Sequence, residues 1–207
     1  PTSSEMKRSG LARTEERAYI PRGPFNVGGR TRALAIDRSN EKVILAGGVS
    51  GGLWRTENEG IIWKRITPPE MINSVSCLVQ DTRAGHTDTW YFGTGEYSLF
   101  NSARANNSTP YRGDGIFKST DKGLTWQPLS ATLSGDVTTF GSPFQYIYKL
   151  AINTANSNED ELYAATIGGI IRSADGGKTW ATVLGADLLS EPPGTDLNDK
   201  TFPFFSD

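Results

Sequence analysis

The amino-acid sequence predicts an all-β fold of four-stranded antiparallel units, a β-propeller or part of one, and three observations predict it. A twelve-residue frame stands at residues 169–180 as Gly-Ile-Ile-Arg-Ser-Ala-Asp-Gly-Gly-Lys-Thr-Trp and at 115–126 as Gly-Ile-Phe-Lys-Ser-Thr-Asp-Lys-Gly-Leu-Thr-Trp. A worn third copy, Gly-Leu-Trp-Arg-Thr-Glu-Asn-Glu-Gly-Ile-Ile-Trp, occupies 52–63. Self-similarity of this kind marks a repeat architecture. Two strand-like runs precede each frame, and no long stretch has helical periodicity. Four short strands per repeat with turn chemistry between them is the make-up of a propeller blade.

Taken in order, residues 1–21 are polar and charged and read as an extension without a core of its own. Residues 21–30 are rich in Pro and Gly, a turn that leads into the first repeat. The first strands are expected at 31–37, 74–80 and 145–152, and the second at 43–46, 90–93 and 162–166. The apolar pair before Arg or Lys in each frame makes the third strand, and the residues from Trp onward make the fourth (63–66, 126–129 and 180–183). Blades are thus expected at about 31–66, 74–129 and 145–184, with 202–207 starting another. The tryptophans are spaced by 63 and 54 residues, more than the roughly 40–50 of a plain blade, so loops are inserted. Three blades cannot close a ring, for which typically four to eight are used; the propeller is expected to be larger.

The frame needs its residue types for the reversal between strands three and four. Asp121 and Asp175, with Asn58 in the worn copy, can accept hydrogen bonds from the backbone of their own turns. Gly123 and Gly177 supply the positive φ that a side chain resists, and Gly60 holds the same place in the worn copy. Ser119 with Thr125, and Ser173 with Thr179, are placed to bond across the hairpin. Trp126 and Trp180 are expected to lie against the neighbouring blade, each burying roughly 150–250 Å², and Trp63 holds the same place in the worn copy. Asn58 for Asp and Ile62 for Thr should leave the first turn held less firmly.

Composition is that of a globular chain: 207 residues, 36% apolar, 23 glycines. A net charge of −2 and a pI near 5.5 give no basic footprint for nucleic acid. No apolar run reaches the roughly 20 residues of a transmembrane helix. The single cysteine, Cys77, lies in an apolar run and reads as a small core residue. No metal or cofactor motif is present: the one histidine, His86, sits in a turn with no second His nearby, so zinc and Ser-His-Asp chemistry both lack partners, and the acids of 185–201 lack EF-hand spacing.

Ser-x-Asp-x-Gly-x-Thr-Trp resembles the Asp-box, or BNR, repeat of sialidases, two-propeller xyloglucanases, sortilin-type receptors and photosystem-assembly propellers. The likeness covers most of residues 23–184. Residues 23–32 and 113–121 look more narrowly like large secreted or surface proteins of gliding and gut bacteria, in which a propeller precedes other modules and a type IX sorting signal. That resemblance implies a secreted or cell-surface setting and contact with secretion machinery. WD repeats would show Trp-Asp, which is absent; the kelch-like pairs Gly47-Gly48 and Gly168-Gly169 precede the frame and do not replace it.

Strand alternation puts the frame turns on one face, and the second-to-third-strand loops with the links between blades on the other. The second face therefore collects 94–114, 130–143 and 185–201. The insertion at 94–114 is the most informative: Gly93 to Gly115 spans 22 positions, against five from Gly47 to Gly52. It offers Glu96, Tyr97, Phe100, Arg104, Tyr111, Arg112 and Asp114 as candidate ligand-binding residues, since rings with Arg and carboxylates suit recognition of a glycan or an extracellular protein. Such a loop can equally pack on itself through Phe100 and Tyr111.

Glycosidases mostly need two carboxyl groups across the scissile bond. Xyloglucanases are similar at the Gly-Gly pair ending strand two, but Val49 or Ser50 and Ile167 occupy the places of their catalytic Asp. The sialidase Arg-Ile-Pro is Tyr19-Ile20-Pro21 here, although Arg30, Arg32 and Arg112 are available for an arginine triad. Glu96 is the weak catalytic candidate. The expected function is a non-catalytic binding propeller; the alternatives are a glycoside hydrolase completed by further blades and a structural spacer.

Overall fold

The structure is a computed structural model that describes residues 30–68, 70–71, 74–96, 111–157 and 160–190. It contains three four-stranded antiparallel sheets, each a meander in chain order. The first holds β1 (Thr31–Ile36), β2 (Ile44–Gly48), β3 (Gly52–Thr56) and β4 (Lys64–Arg65). The second holds β5 (Val75–Gln80), β6 (Trp90–Thr94), β7 (Ile116–Ser119) and β8 (Gln127–Pro128). The third holds β9 (Ile147–Ile152), β10 (Leu162–Thr166), β11 (Gly169–Ser173) and β12 (Ala181–Gly185). The first strands of the sheets are neighbours, β5 touching β1 on one side and β9 on the other.

Period-two alternation decides what fills the gaps between sheets. Leu45 and Leu53 of the first sheet meet Val75, Trp90, Phe92 and Phe117 of the second. The second sheet's opposite face presents Cys77, Tyr91 and Ile116 to Leu150, Leu162, Ala164 and Ile171 of the third. Buried on both faces, β6 reads Trp-Tyr-Phe-Gly-Thr without polar alternation and is buried throughout. Each of its three aromatics contributes roughly 1.5–3 kcal/mol or more through burial. The outer face of β1 differs: Leu34 is 66% and Ile36 56% exposed.

Two glycines are required by approach between sheets. A Cβ on Gly47 would come within 2.4 Å of Val75 Cγ1, and one on Gly93 within 2.7 Å of Ile147 Cγ2. Each glycine is the fourth residue of its second strand and receives the first residue of the next sheet's first strand.

Two expectations shift at their edges. The frame tryptophans fall outside the fourth strands: β4 and β8 have two residues each and start after Trp63 and Trp126. The indole instead closes the turn, Trp126 Nε1 donating to Gly123 O at 3.1 Å. The third first strand starts at Ile147, two residues later than expected, because residues 143–145 form a 3₁₀ turn. Ser142 caps it, and the Gln145 side chain accepts from the Ser142 N–H in return.

Candidate functional site

The frame turns at one end of the sheets are self-contained. In the second, Asp121 Oδ1 accepts from the N–H groups of Leu124 (3.0 Å) and Thr125 (2.9 Å), and Oδ2 from the Thr125 hydroxyl (2.6 Å). Ser119 Oγ donates to Asp121 Oδ1 at 2.7 Å and accepts from Gly123 N at 2.9 Å. Ser173, Asp175, Gly177 and Thr179 repeat every one of these bonds except that Lys178 replaces Leu124. Burial pushes Asp121 up, but its bonds to Thr125 and Ser119 outweigh that and hold it below the ordinary range. The Thr179 hydroxyl and amide lower Asp175 likewise. In the first turn Asn58 Oδ1 accepts from Thr56 Oγ1 (2.8 Å) and Ile62 N (2.8 Å), and Ile62 has no hydroxyl to add. Gly60, Gly123 and Gly177 have φ of 86°, 76° and 92°. Trp126 is buried against Phe92, centroids 4.7 Å apart, while Trp63 and Trp180 are half-buried.

At the opposite end the insertion and the sheet-to-sheet links interlock. Glu96 pairs with Tyr111 across an isolated antiparallel bridge, N–H to O distances being 2.7 and 3.0 Å. Its carboxylate is 4% exposed and gripped from the start of β1: Arg30 Nη2 donates to Oε2, and Arg32 Nη1 stands 3.2 Å from Oε1. Asp114 Oδ1 accepts from the backbone (2.6 Å) and hydroxyl (2.9 Å) of Ser134. Arg112 Nη1 donates to Thr138 O at 2.6 Å. Tyr111 is 50% exposed.

The link is shaped from inside by Gln145, which sequence reasoning missed. Fully buried, its Nε2 donates to Asp136 O (2.6 Å) and Thr139 O (2.9 Å), and its Oε1 accepts from the N–H groups of Gly141 and Ser142. The signal was available as the capping-box spacing Ser-Pro-Phe-Gln at 142–145. The arginines divide their work: Arg30 and Arg32 hold Glu96, and Arg112 holds a loop carbonyl. Tyr97, Phe100 and Arg104 lie outside the described residues.

No family model matches the chain, and no curated protein matches it. Solved structures do. An ancestral GH74 enzyme is similar with a TM-score of 0.57 at 21% identity, over 76% of this chain and 19% of its own. YCF48 from Cyanidioschyzon merolae is similar with a TM-score of 0.51 at 14% identity, over 79% of this chain and 42% of its own. This is a β-propeller segment. The likeness is one of fold, and the chain spans 19% of the GH74 enzyme and 42% of YCF48.

In blade terms, one more grouping lies at the frame end, and it corrects the reading of His86 as lacking partners. Asp81 from the second blade and Asp160 from the third converge on it, with ligand atoms all within 4.8 Å. Arg83 spans the two carboxylates, Nη2 standing 2.5 Å from each. The guanidinium supplies the charge a cation would, so the cluster is an inter-blade clasp. Among the described residues, no helix is long and apolar enough to cross a membrane.

Proposed function

We propose that this propeller segment is a binding module of a secreted or cell-surface protein, engaging a glycan or an extracellular protein through the face that carries residues 111–115 and 129–145. The observation that carries this reading is the commitment of Glu96. A general acid must hold and release a proton at the scissile oxygen, and a nucleophile needs a free carboxylate facing it. Glu96 has neither freedom: it is buried, ion-paired to two arginines and fixed through its backbone to Tyr111. Asp114 and Asp136, nearby in the same face, are spent on Ser134 and on Thr138 and Thr139. What remains outward is suited to recognition, with half-exposed Tyr111 and Arg30 on a frame that Gln145 and Asp114 preorganise. The resemblance of residues 23–32 and 113–121 to secreted and surface proteins supports the extracellular setting.

The test is glycan-array and extracellular-protein-array binding by the wild-type chain and Glu96→Gln, with reducing-sugar release measured on every glycan bound. A binder retains its ligand in both proteins and releases no sugar. Sugar release that Glu96→Gln abolishes would overturn the proposal.

A further inference from the structure

The three first strands share an irregularity that the frame does not explain. Each has one residue too many against its second strand. In β1 the register passes from Thr31 to Ala33, leaving Arg32 as the extra residue. In β5 it passes from Val75 to Cys77, leaving Ser76. In β9 it passes from Ile147 to Lys149, leaving Tyr148. In all three strands the bulge falls on the second residue, at the end that bears the inserted loops. A bulge re-aims the side chain at the extra residue and recurs beside binding sites.

The three bulged residues meet. Arg32, Ser76 and Tyr148 line a single cleft of about 330 Å³ between β1, β5 and β9, together with Thr31, Cys77 and Lys149 and an apolar patch of Ala33, Leu34 and Leu78. That volume is at the small end of ligand sites. Its chemistry is unlike the chain's. In a protein of net charge −2 the charged residues that line this cleft, Arg32 and Lys149, are both cations, and Glu96 reaches it only through its ion pair with Arg32. Lys149 is exposed and has no ion pair among the described residues. Arg32 spends one nitrogen on Glu96 and has further N–H donors. Ser76 is 6% exposed, and its hydroxyl has only a 3.9 Å contact with Cys77 Sγ. The thiol itself is unreactive, burial pushing its pKa up to about 11.

We infer that this cleft is a subsite for a carboxylate-bearing sugar ring, a uronic acid unit of an acidic glycan. Arg32 and Lys149 face the carboxylate, and the hydroxyls of Thr31, Ser76 and Tyr148 face the ring hydroxyls. Three hydroxyls beside the two cations favour a sugar acid, whose ring has hydroxyls to meet them, over a peptide terminus, which has amides. The inference deepens the binding reading above and rests on it, since Arg32, Ser76 and Tyr148 stand at the loop ends of their strands. Glu96 is then a competitor held in place: its carboxylate occupies part of the Arg32 fork.

Titration calorimetry of the chain with trigalacturonate, cellotriose and a tripeptide with a free C-terminal carboxylate tests this. Trigalacturonate should bind, cellotriose and the tripeptide should not, and added salt should weaken the complex because its charges lie near water. Lys149→Gln, an exposed change that leaves the melting temperature intact, should weaken binding about tenfold; Glu96→Gln should tighten it. Ser76→Ala should weaken it several-fold. Equal binding of cellotriose, binding of the tripeptide alone, or unchanged affinity in Lys149→Gln would overturn the inference. An array ligand that survives Lys149→Gln but is lost in Tyr111→Ala would leave the loop-face reading standing and overturn this one.

Discussion

The two ends of the propeller use charge in opposite ways. At the frame end, carboxylates serve the chain itself: Asp121 and Asp175 each gather the amides and hydroxyls of their own turn, and Asp81 and Asp160 hold Arg83 between blades. At the loop end, the carboxylates are also committed, but cations remain over: among the described residues Lys149 has no ion pair, and Arg30 is largely exposed. The frame end repeats because each blade needs the same reversal. The loop end varies because the fold places no demand on it beyond closing the chain. Polar residues gathered in one turn are therefore a poor guide to a site when the turn recurs in every blade.

The largest expected effect lies in the frame. Trp126→Ala should cost about 3–5 kcal/mol, since the ring is buried against Phe92 and closes its turn; half-buried Trp63→Ala should cost clearly less. Paired chemical-denaturation curves decide between them. Gly93→Ala should follow at roughly 1–3 kcal/mol, because its Cβ would crowd Ile147 and the Cys77 sulfur. Asp121→Ala should cost about 1–3 kcal/mol by orphaning several donors, with Asn58→Ala costing less because the worn turn has fewer bonds to lose. Equal losses at 121 and 58 would break the ranking of the turns.

Acid should report on the same end. Asp121 and Asp175 have lower pKa values folded than unfolded, and Glu161 is drawn to about 2, first by Arg172 and then by Tyr163 and Asn153. The unfolded chain then takes up protons before the folded one as pH falls. The stability these groups contribute is present above their unfolded values near 4 and is lost below them. Melting temperature should stay level from neutral pH to about 5 and fall below about 4, less steeply in Asp121→Asn. The smallest effect is at Lys122, which holds φ of 63° without being glycine. Lys122→Gly, matching Gly176 of the third turn, should stabilise by less than about 1 kcal/mol, as relief of strain is offset by a freer unfolded chain.

Sequence reasoning went furthest where one residue governs one local bond. Asp121, Gly123 and Thr125 could be assigned from the turn they build, and the strand order followed from the repeats. It fell short where a residue's task depends on another blade. Nothing near Gly93 in sequence announces Ile147, Asp160 is remote from His86, and Arg32 is 64 residues from the Glu96 it holds. The bulges at Arg32, Ser76 and Tyr148 were hidden for the same reason: an extra residue exists only relative to its partner strand.

The central claim is that the loop end binds and the frame end does not. Hydrogen-exchange footprinting of the chain with a glycan or protein retained from the arrays addresses it directly. New protection is expected in residues 111–115 and 129–149, with the turns at 56–64, 119–127 and 173–181 unchanged. Protection confined to the frame turns would contradict it.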